Sequence, residues 1–115
     1  MVNVSIGERV FQLQLVDSPA AHEFTDRLPL TIEMIDVNQN EKYARLDAGL
    51  TRHDEVAHQI EKGDVKLWSG DGLVIFYESF ESSYAYTNLG YIVNTEGLKE
   101  SLGQGDVRVS FTLAQ

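Results

Sequence analysis

The feature that most limits the fold of this chain is a series of short runs in which apolar and polar residues alternate. Residues 2–6 alternate in this way, and residues 11–15 do so again after Gly7-Glu8. If Gly7-Glu8 forms the centre of a type II′ turn, Val4 lies opposite Phe11, and the apolar side chains of both runs share one face. The chain is therefore predicted to open with a β-hairpin.

The same signals predict six further strands, at residues 30–34, 42–46, 64–68, 73–77, 89–93 and 107–113. A glycine-rich turn at 69–72 joins two of them into a second hairpin. Because residues 73–77 are apolar at every position, this strand is predicted to be buried on both faces. Residues 47–62 and 79–87 lack regular alternation, and we interpret both as loops, the first with about one helical turn.

Two short helices are predicted between the strands. Ser18-Pro19 supplies an N-cap followed by a proline at the first helical position. Apolar residues then recur at helical spacing as far as Leu28, and Pro29 prevents the helix from continuing. Thr95 is the predicted cap of a second helix that ends before Gly103.

Eight strands and two helices in 115 residues predict a single, mainly β domain that spans residues 1–115. A hydrophobic fraction of 43% is enough for one buried core. A closed eight-stranded barrel capped by the two helices is favoured, because closure removes exposed strand edges. An open sandwich is the alternative.

The composition excludes several classes of function. The chain has no cysteine, which rules out disulfides, thiolate nucleophiles and cysteine-ligated zinc. A net charge of −9 disfavours binding to nucleic acid or to an anionic membrane surface. No apolar run is long enough to cross a bilayer, and the first residues do not resemble a signal peptide. We therefore expect a soluble, acidic, cytoplasmic protein.

Two motifs partly match the signatures of metal or cofactor sites. The segment His53-Asp54-Glu55-Val56-Ala57-His58 superficially resembles a zinc-protease signature, but its histidines are five positions apart and do not share one helical face. Gly103-Gln104-Gly105 follows a predicted helix and lacks the third glycine of a dinucleotide-binding turn. No metal and no cofactor are predicted.

The segments Gly63-Asp64-Val65-Lys66-Leu67-Trp68, 73–77 and 86–92 resemble a bacterial cyclophilin-like family of small, largely uncharacterised proteins. The resemblance extends over nearly the whole chain. It implies an eight-stranded barrel capped by two helices, in agreement with the strand count.

The resemblance also bears on catalysis, because the true cyclophilins are prolyl isomerases. It implies that Arg45 matches their catalytic arginine and that Val74 stands where they carry a glutamine. The tryptophan and histidine of their substrate loop have no match in this chain. Arg45 is the single residue with a nameable catalytic role, since a guanidinium can hydrogen-bond a prolyl carbonyl.

The predicted ligand-binding residues combine aromatic faces with polar groups, the mixture that recognition surfaces use. They are Tyr43, Arg45, Phe76, Phe80, Tyr84 and Tyr86. The alternative is that the last three aromatic residues fill one end of the barrel as core.

Three functions follow from these observations. The leading hypothesis is a non-catalytic module that binds a peptide or small molecule in the outer groove of the barrel. A weak prolyl isomerase that depends on Arg45 is the alternative. A structural subunit of an assembly is the third option, and no sequence signal indicates an oligomeric state.

Overall fold

The computed structural model describes residues 1–114, which form nine strands and two short helices. The strands are β1 (Val2–Ile6), β2 (Arg9–Leu15), β3 (Leu30–Val37), β4 (Glu41–Arg45), β5 (Glu55–Ile60), β6 (Asp64–Trp68), β7 (Gly72–Phe76), β8 (Phe80–Ile92) and β9 (Val107–Leu113). The helices are α1 (Pro19–Asp26) and α2 (Leu98–Leu102).

Eight of the strands close into an antiparallel barrel. Their order is β2-β1-β9-β3-β4-β7-β6-β8, and β2 pairs with β8 to complete the ring. The ninth strand, β5, pairs with β8 alone and lies outside this ring. The predicted closed, mainly β barrel is confirmed, and the open sandwich is excluded.

The opening hairpin has the predicted register. Val4 lies opposite Phe11 and Val2 opposite Leu13, and all four side chains are buried. Gly7 has a φ of +59°, which the first central position of a type II′ turn requires. The apolar alternation of β1 and β2 therefore serves one purpose, which is to fill the barrel.

Strand β7 is buried on both faces, as its uninterrupted apolar run predicted. Leu73 and Ile75 belong to the core inside the barrel. Val74 and Phe76 point the other way and belong to a second, smaller cluster on the outer face. Something other than the barrel must cover that outer face.

The cover comes from two segments that sequence reasoning had interpreted as loops, and both interpretations were wrong. Residues 47–62 contain β5, and residues 80–86 are the first half of β8. The two pair with each other, from Glu55 opposite Tyr86 to Ile60 opposite Phe80. We call this pair, β5 with residues 80–86 of β8, the outer ribbon.

The strands of the outer ribbon were not predicted, because β5 lies at the edge of the sheet and outside the barrel. β5 is an edge strand in which Ile60 is the one buried residue, so its sequence has no apolar alternation. A bulge between Val56 and His58, with a φ of +59° at His58, breaks the pleat as well.

Helix α1 begins as predicted. The Ser18 hydroxyl accepts a hydrogen bond from the Ala21 amide at 3.1 Å, and the proline occupies the first turn. The helix ends at Asp26, two residues before the predicted end at Leu28. Phe24 anchors it to the barrel by packing edge-on against Phe111, with ring centroids 5.4 Å apart.

Helix α2 does not begin as predicted. Gly97, in a left-handed conformation, occupies the N-cap position, and no side chain caps the helix. Thr95 instead accepts a backbone hydrogen bond from Leu98 in the preceding turn. Among the helices of residues 1–114, neither is long and apolar enough to cross a membrane.

Among the described residues, one charged side chain, that of Lys42, is buried at the barrel wall. The Lys42 ammonium donates to the Gly105 carbonyl at 2.5 Å and pairs with an Asp36 carboxylate oxygen at 3.1 Å. The Tyr77 hydroxyl donates to the same oxygen at 2.6 Å, and this bond is the main reason that the pKa of Asp36 lies below its usual range. The network satisfies the buried charge and ties the loop before β9 to β3 and β4.

Candidate functional site

The outer face of β7 carries a compact apolar cluster, which we call the outer cluster. Its buried members are Ile60, Val74, Phe76 and Tyr86, and Tyr43, Ala57 and Phe80 pack against them while partly buried. The cluster thus joins the outer ribbon to the barrel wall.

Four of the six predicted ligand-binding residues meet in this cluster. The Phe76 ring packs edge-on against Tyr86, with centroids 5.6 Å apart, and lies tilted against Phe80, with centroids 5.7 Å apart. Tyr43 lies across the sheet, with its ring over the buried backbone of Gly72. These aromatic faces contact one another.

The other two predicted residues lie outside the cluster. Arg45 is on the same face of β4 as Tyr43, but its side chain is 77% exposed and its Nε donates to Asp71 at 3.0 Å. Tyr84 is 65% exposed. Both side chains are therefore mostly in solvent, and the Arg45 guanidinium is paired with a carboxylate there.

A second region, here called the cleft, has the shape of a binding site. It has a volume of about 620 Å³ and lies between the start of α1, the segment that leads into β5, and the middle of β8. This volume is in the range of small-molecule sites. Its lining is Val16, Asp17, Ser18, Pro19, Ala20, Thr51, Arg52, His53, Glu55, Val56, Ala57, Lys66, Tyr86, Thr87 and Asn88.

A hydrogen-bond network holds one wall of the cleft. The buried Thr87 hydroxyl donates to an Asp54 carboxylate oxygen at 2.7 Å and accepts from the His53 amide at 2.9 Å. The other Asp54 oxygen accepts two bonds from Arg52, at 3.0 and 2.6 Å. Bonds from Arg52 and then Thr87 keep the pKa of Asp54 below its usual range, so the carboxylate stays charged.

Only one of the six predicted ligand-binding residues lines this cleft. The predicted ligand-binding residues include Tyr86 but not Arg52, Lys66 or Thr87. The segment from His53 to His58 was examined for metal binding; His53 lies 3.1 Å from Glu55, and His58 sits in the bulge of β5. Within residues 1–114 no group of three or more acidic or histidine side chains is placed to hold a metal ion.

A further cavity of about 760 Å³ adjoins the Lys42 network. Its lining includes Asp36, Tyr77, Glu78 and Lys99. Asp36 and Tyr77 bond each other, and Lys99 pairs with Glu78 at 3.1 Å. These polar groups already satisfy one another, so we consider the smaller cleft the better candidate site.

The outer cluster also perturbs a carboxyl group. Glu41 lies opposite Phe76 across the β4–β7 pair and on the same face as Tyr43. Burial, with a smaller contribution from the charge of Asp36, raises the pKa of Glu41 to about 7. The folded protein therefore favours the protonated form of this side chain.

We expect the Glu41 carboxyl to make the stability of the protein depend on pH. Its folded-state pKa exceeds that of the unfolded chain, so its penalty is absent below about pH 4.5. Stability is then lost as pH rises and the loss is complete above about pH 7. Urea denaturation from pH 4 to 8 should show that Glu41→Gln removes this decline.

The control is Glu8→Gln, at an exposed position in the first hairpin turn. It should preserve the pH profile of the wild type. Parallel profiles for Glu41→Gln and the wild type would contradict this assignment.

Comparison with known proteins gives the family of the chain. The sequence model of the Cyclophilin-like family matches residues 4–112. A search of curated proteins returned no match. The solution structure of a hypothetical protein from Archaeoglobus fulgidus is similar, with a TM-score of 0.65 and 19% sequence identity over 98% of this chain and 93% of that one.

The structural similarity shows a shared fold, and the family match covers nearly the whole barrel, from β1 to β9. Both agree with the closed ring of strands described above. The chain therefore belongs to the Cyclophilin-like family.

Proposed function

We propose that this domain is a non-catalytic binding module and that its ligand occupies the cleft between α1 and the outer ribbon. The observation that carries the proposal is the cleft itself, which is open to solvent and assembled from four separate parts of the chain. The Thr87 and Asp54 network holds one wall in place before any ligand binds. Such preorganisation reduces the entropic cost of binding.

The composition of the cleft supports this proposal. Apolar side chains such as Val16, Pro19 and Val56 line it together with hydroxyl, amide and charged groups. Small-molecule sites commonly combine an apolar lining with a few polar groups that orient the ligand. A shared barrel carries no function by itself, whereas the shape and lining of a specific site do indicate one.

The outer face of β4 and β7 gives less support to the isomerase alternative. Val74, at the position that the resemblance matches to the isomerases' glutamine, is 1% exposed and has no polar side-chain group. Arg45 pairs with Asp71 at the surface. A prolyl peptide would have to displace the outer ribbon before it could reach Val74 and Phe76.

We expect no prolyl isomerisation beyond the uncatalysed rate, whose barrier is about 18–20 kcal/mol. A protease-coupled assay with a chromogenic prolyl tetrapeptide measures this directly, with an authentic cyclophilin as the positive control. Acceleration by the wild type that disappears in Arg45→Ala would contradict the proposal and favour the isomerase alternative.

Binding is tested with three aromatic fragments that differ only in charge: phenylacetate, phenylacetamide and 2-phenylethylamine. We expect at least one of them, at about millimolar concentration, to shift amide resonances of cleft residues such as Ala20, Thr51 and Thr87 in a saturable way. Amides around Asp36 and Gly105 serve as the internal control. If none of the three shifts the cleft amides, the proposed binding site is wrong.

A further inference from the structure

We infer that the cleft selects a small organic anion, in which a carboxylate or phosphate group is attached to an apolar body. This inference rests on the proposed binding function and names the chemical class of its ligand. It depends on two cationic side chains that line the cleft: Lys66 on β6 and Arg52 in the segment before β5.

Lys66 is a cation that lacks an acidic partner. Five of the nine lysine and arginine side chains form ion pairs with carboxylates, although the chain carries 18 acidic residues. Lys66 forms none with any described residue. The residue is partly buried and lines the cleft, and its ammonium donates to the amide oxygen of Asn88 at 3.4 Å.

When a ligand fills the cleft, the Lys66 ammonium gives up part of its hydration, and an amide oxygen at 3.4 Å replaces little of it. A ligand anion beside Lys66 would restore the missing interaction. The same lysine would be poorly matched to a cationic ligand, because like charges in a partly dehydrated site repel each other.

Arg52 adds a directed donor. Its aliphatic stem lies against the backbone of Gly70, where an added Cβ would come within 3.0 Å of the arginine Cγ. Its Nε and one terminal nitrogen donate to one oxygen of Asp54, and the other oxygen of that carboxylate accepts a hydrogen bond from Thr87 on β8. The hydrogens on the terminal edge of the guanidinium are left to donate, and that edge matches the two oxygens of a carboxylate or phosphate.

Two carboxylates also line the cleft, but neither repels an anionic ligand strongly. The side chains of Asp17 and Glu55 are 96% and 75% exposed, so water screens their charges at the rim. Each also faces a histidine, with His22 at 2.8 Å from Asp17 and His53 at 3.1 Å from Glu55. A third carboxylate, Asp54 in the wall beside the cleft, is already paired with Arg52 at 2.6 Å, whereas Lys66 has no acidic partner among the described residues.

The apolar part of the lining specifies the rest of the ligand. Val16 and Pro19 contribute from the segment before α1 and from its first residue, Val56 and Ala57 from β5, and the buried Tyr86 from β8. These surfaces favour an apolar or aromatic body over a free inorganic anion. Inorganic phosphate alone should therefore bind more weakly than phenyl phosphate.

The test compares dissociation constants from amide shifts for the wild type and three variants. We expect phenylacetate or phenyl phosphate to bind at least about tenfold more tightly than phenylacetamide, a difference of about 1.4 kcal/mol. Lys66→Met should remove that preference, and Arg52→Gln should reduce it. Lys62→Met is the matched control, because Lys62 is an exposed lysine that does not line the cleft.

Several outcomes would overturn the inference while the binding function stands. The first is that phenylacetamide binds as tightly as phenylacetate, and the second is that 2-phenylethylamine binds more tightly than phenylacetate. The third is that Lys66→Met keeps the anion preference of the wild type. If Lys66→Met does not fold, the salt dependence of the wild type decides, because added NaCl should weaken the binding of phenylacetate and leave phenylacetamide unaffected. Comparison of phenylacetate with phenyl phosphate identifies which oxyanion is preferred.

Discussion

The two-sided burial of β7 is the constraint on which the rest of the structure depends. Its inward side chains fill the barrel, and its outward side chains, Val74 and Phe76, would face water if the chain were only an eight-stranded ring. Burying one such side chain contributes about 1.5–3 kcal/mol. The outer ribbon supplies the cover, which explains why an edge strand with one buried residue of its own is kept against the domain.

The position of the outer ribbon links the fold to the proposed function. The ribbon fills the outer face next to Tyr43 with the chain's own aromatic side chains. It also brings the segment before β5 to the middle of β8, where Thr87 bonds Asp54 and the His53 amide. The space left between this segment and the start of α1 is the cleft. The outer ribbon thus covers the outer face of β7 and also forms part of the cleft.

The strands of the barrel were predictable from the sequence, because each has one face in a common core. The register of the first hairpin and the burial of β7 followed from alternation and from an unbroken apolar run. β5 and residues 80–86 were not predictable in this way, since they pair with each other outside the barrel core. Lys42 is a further case, because only the tertiary structure places a carbonyl and a carboxylate beside its ammonium.

The candidate site was predictable only in part. Four of the predicted residues, Tyr43, Phe76, Phe80 and Tyr86, come together in the structure, and their role in ligand binding stays a prediction. The cleft was not predictable, because Lys66, Arg52 and Thr87 are separated along the chain and no motif connects them. Lys66 reaches the cleft through the irregular β6–β8 pairing, and Arg52 is held there through Asp54 and the Thr87 hydroxyl; alternation reveals neither.

The unfolding free energy of Val74→Gln tests most directly whether the outer face of β7 is core or an open groove. The substitution places an amide at a position that is 1% exposed, and the surrounding cluster offers little to hydrogen-bond it. We expect a loss of about 2 kcal/mol or more, whereas Val10→Gln at an exposed position of β2 should change stability by less than about 0.5 kcal/mol. A Val74→Gln protein as stable as the wild type would show that the outer ribbon does not seal this face and would contradict the account.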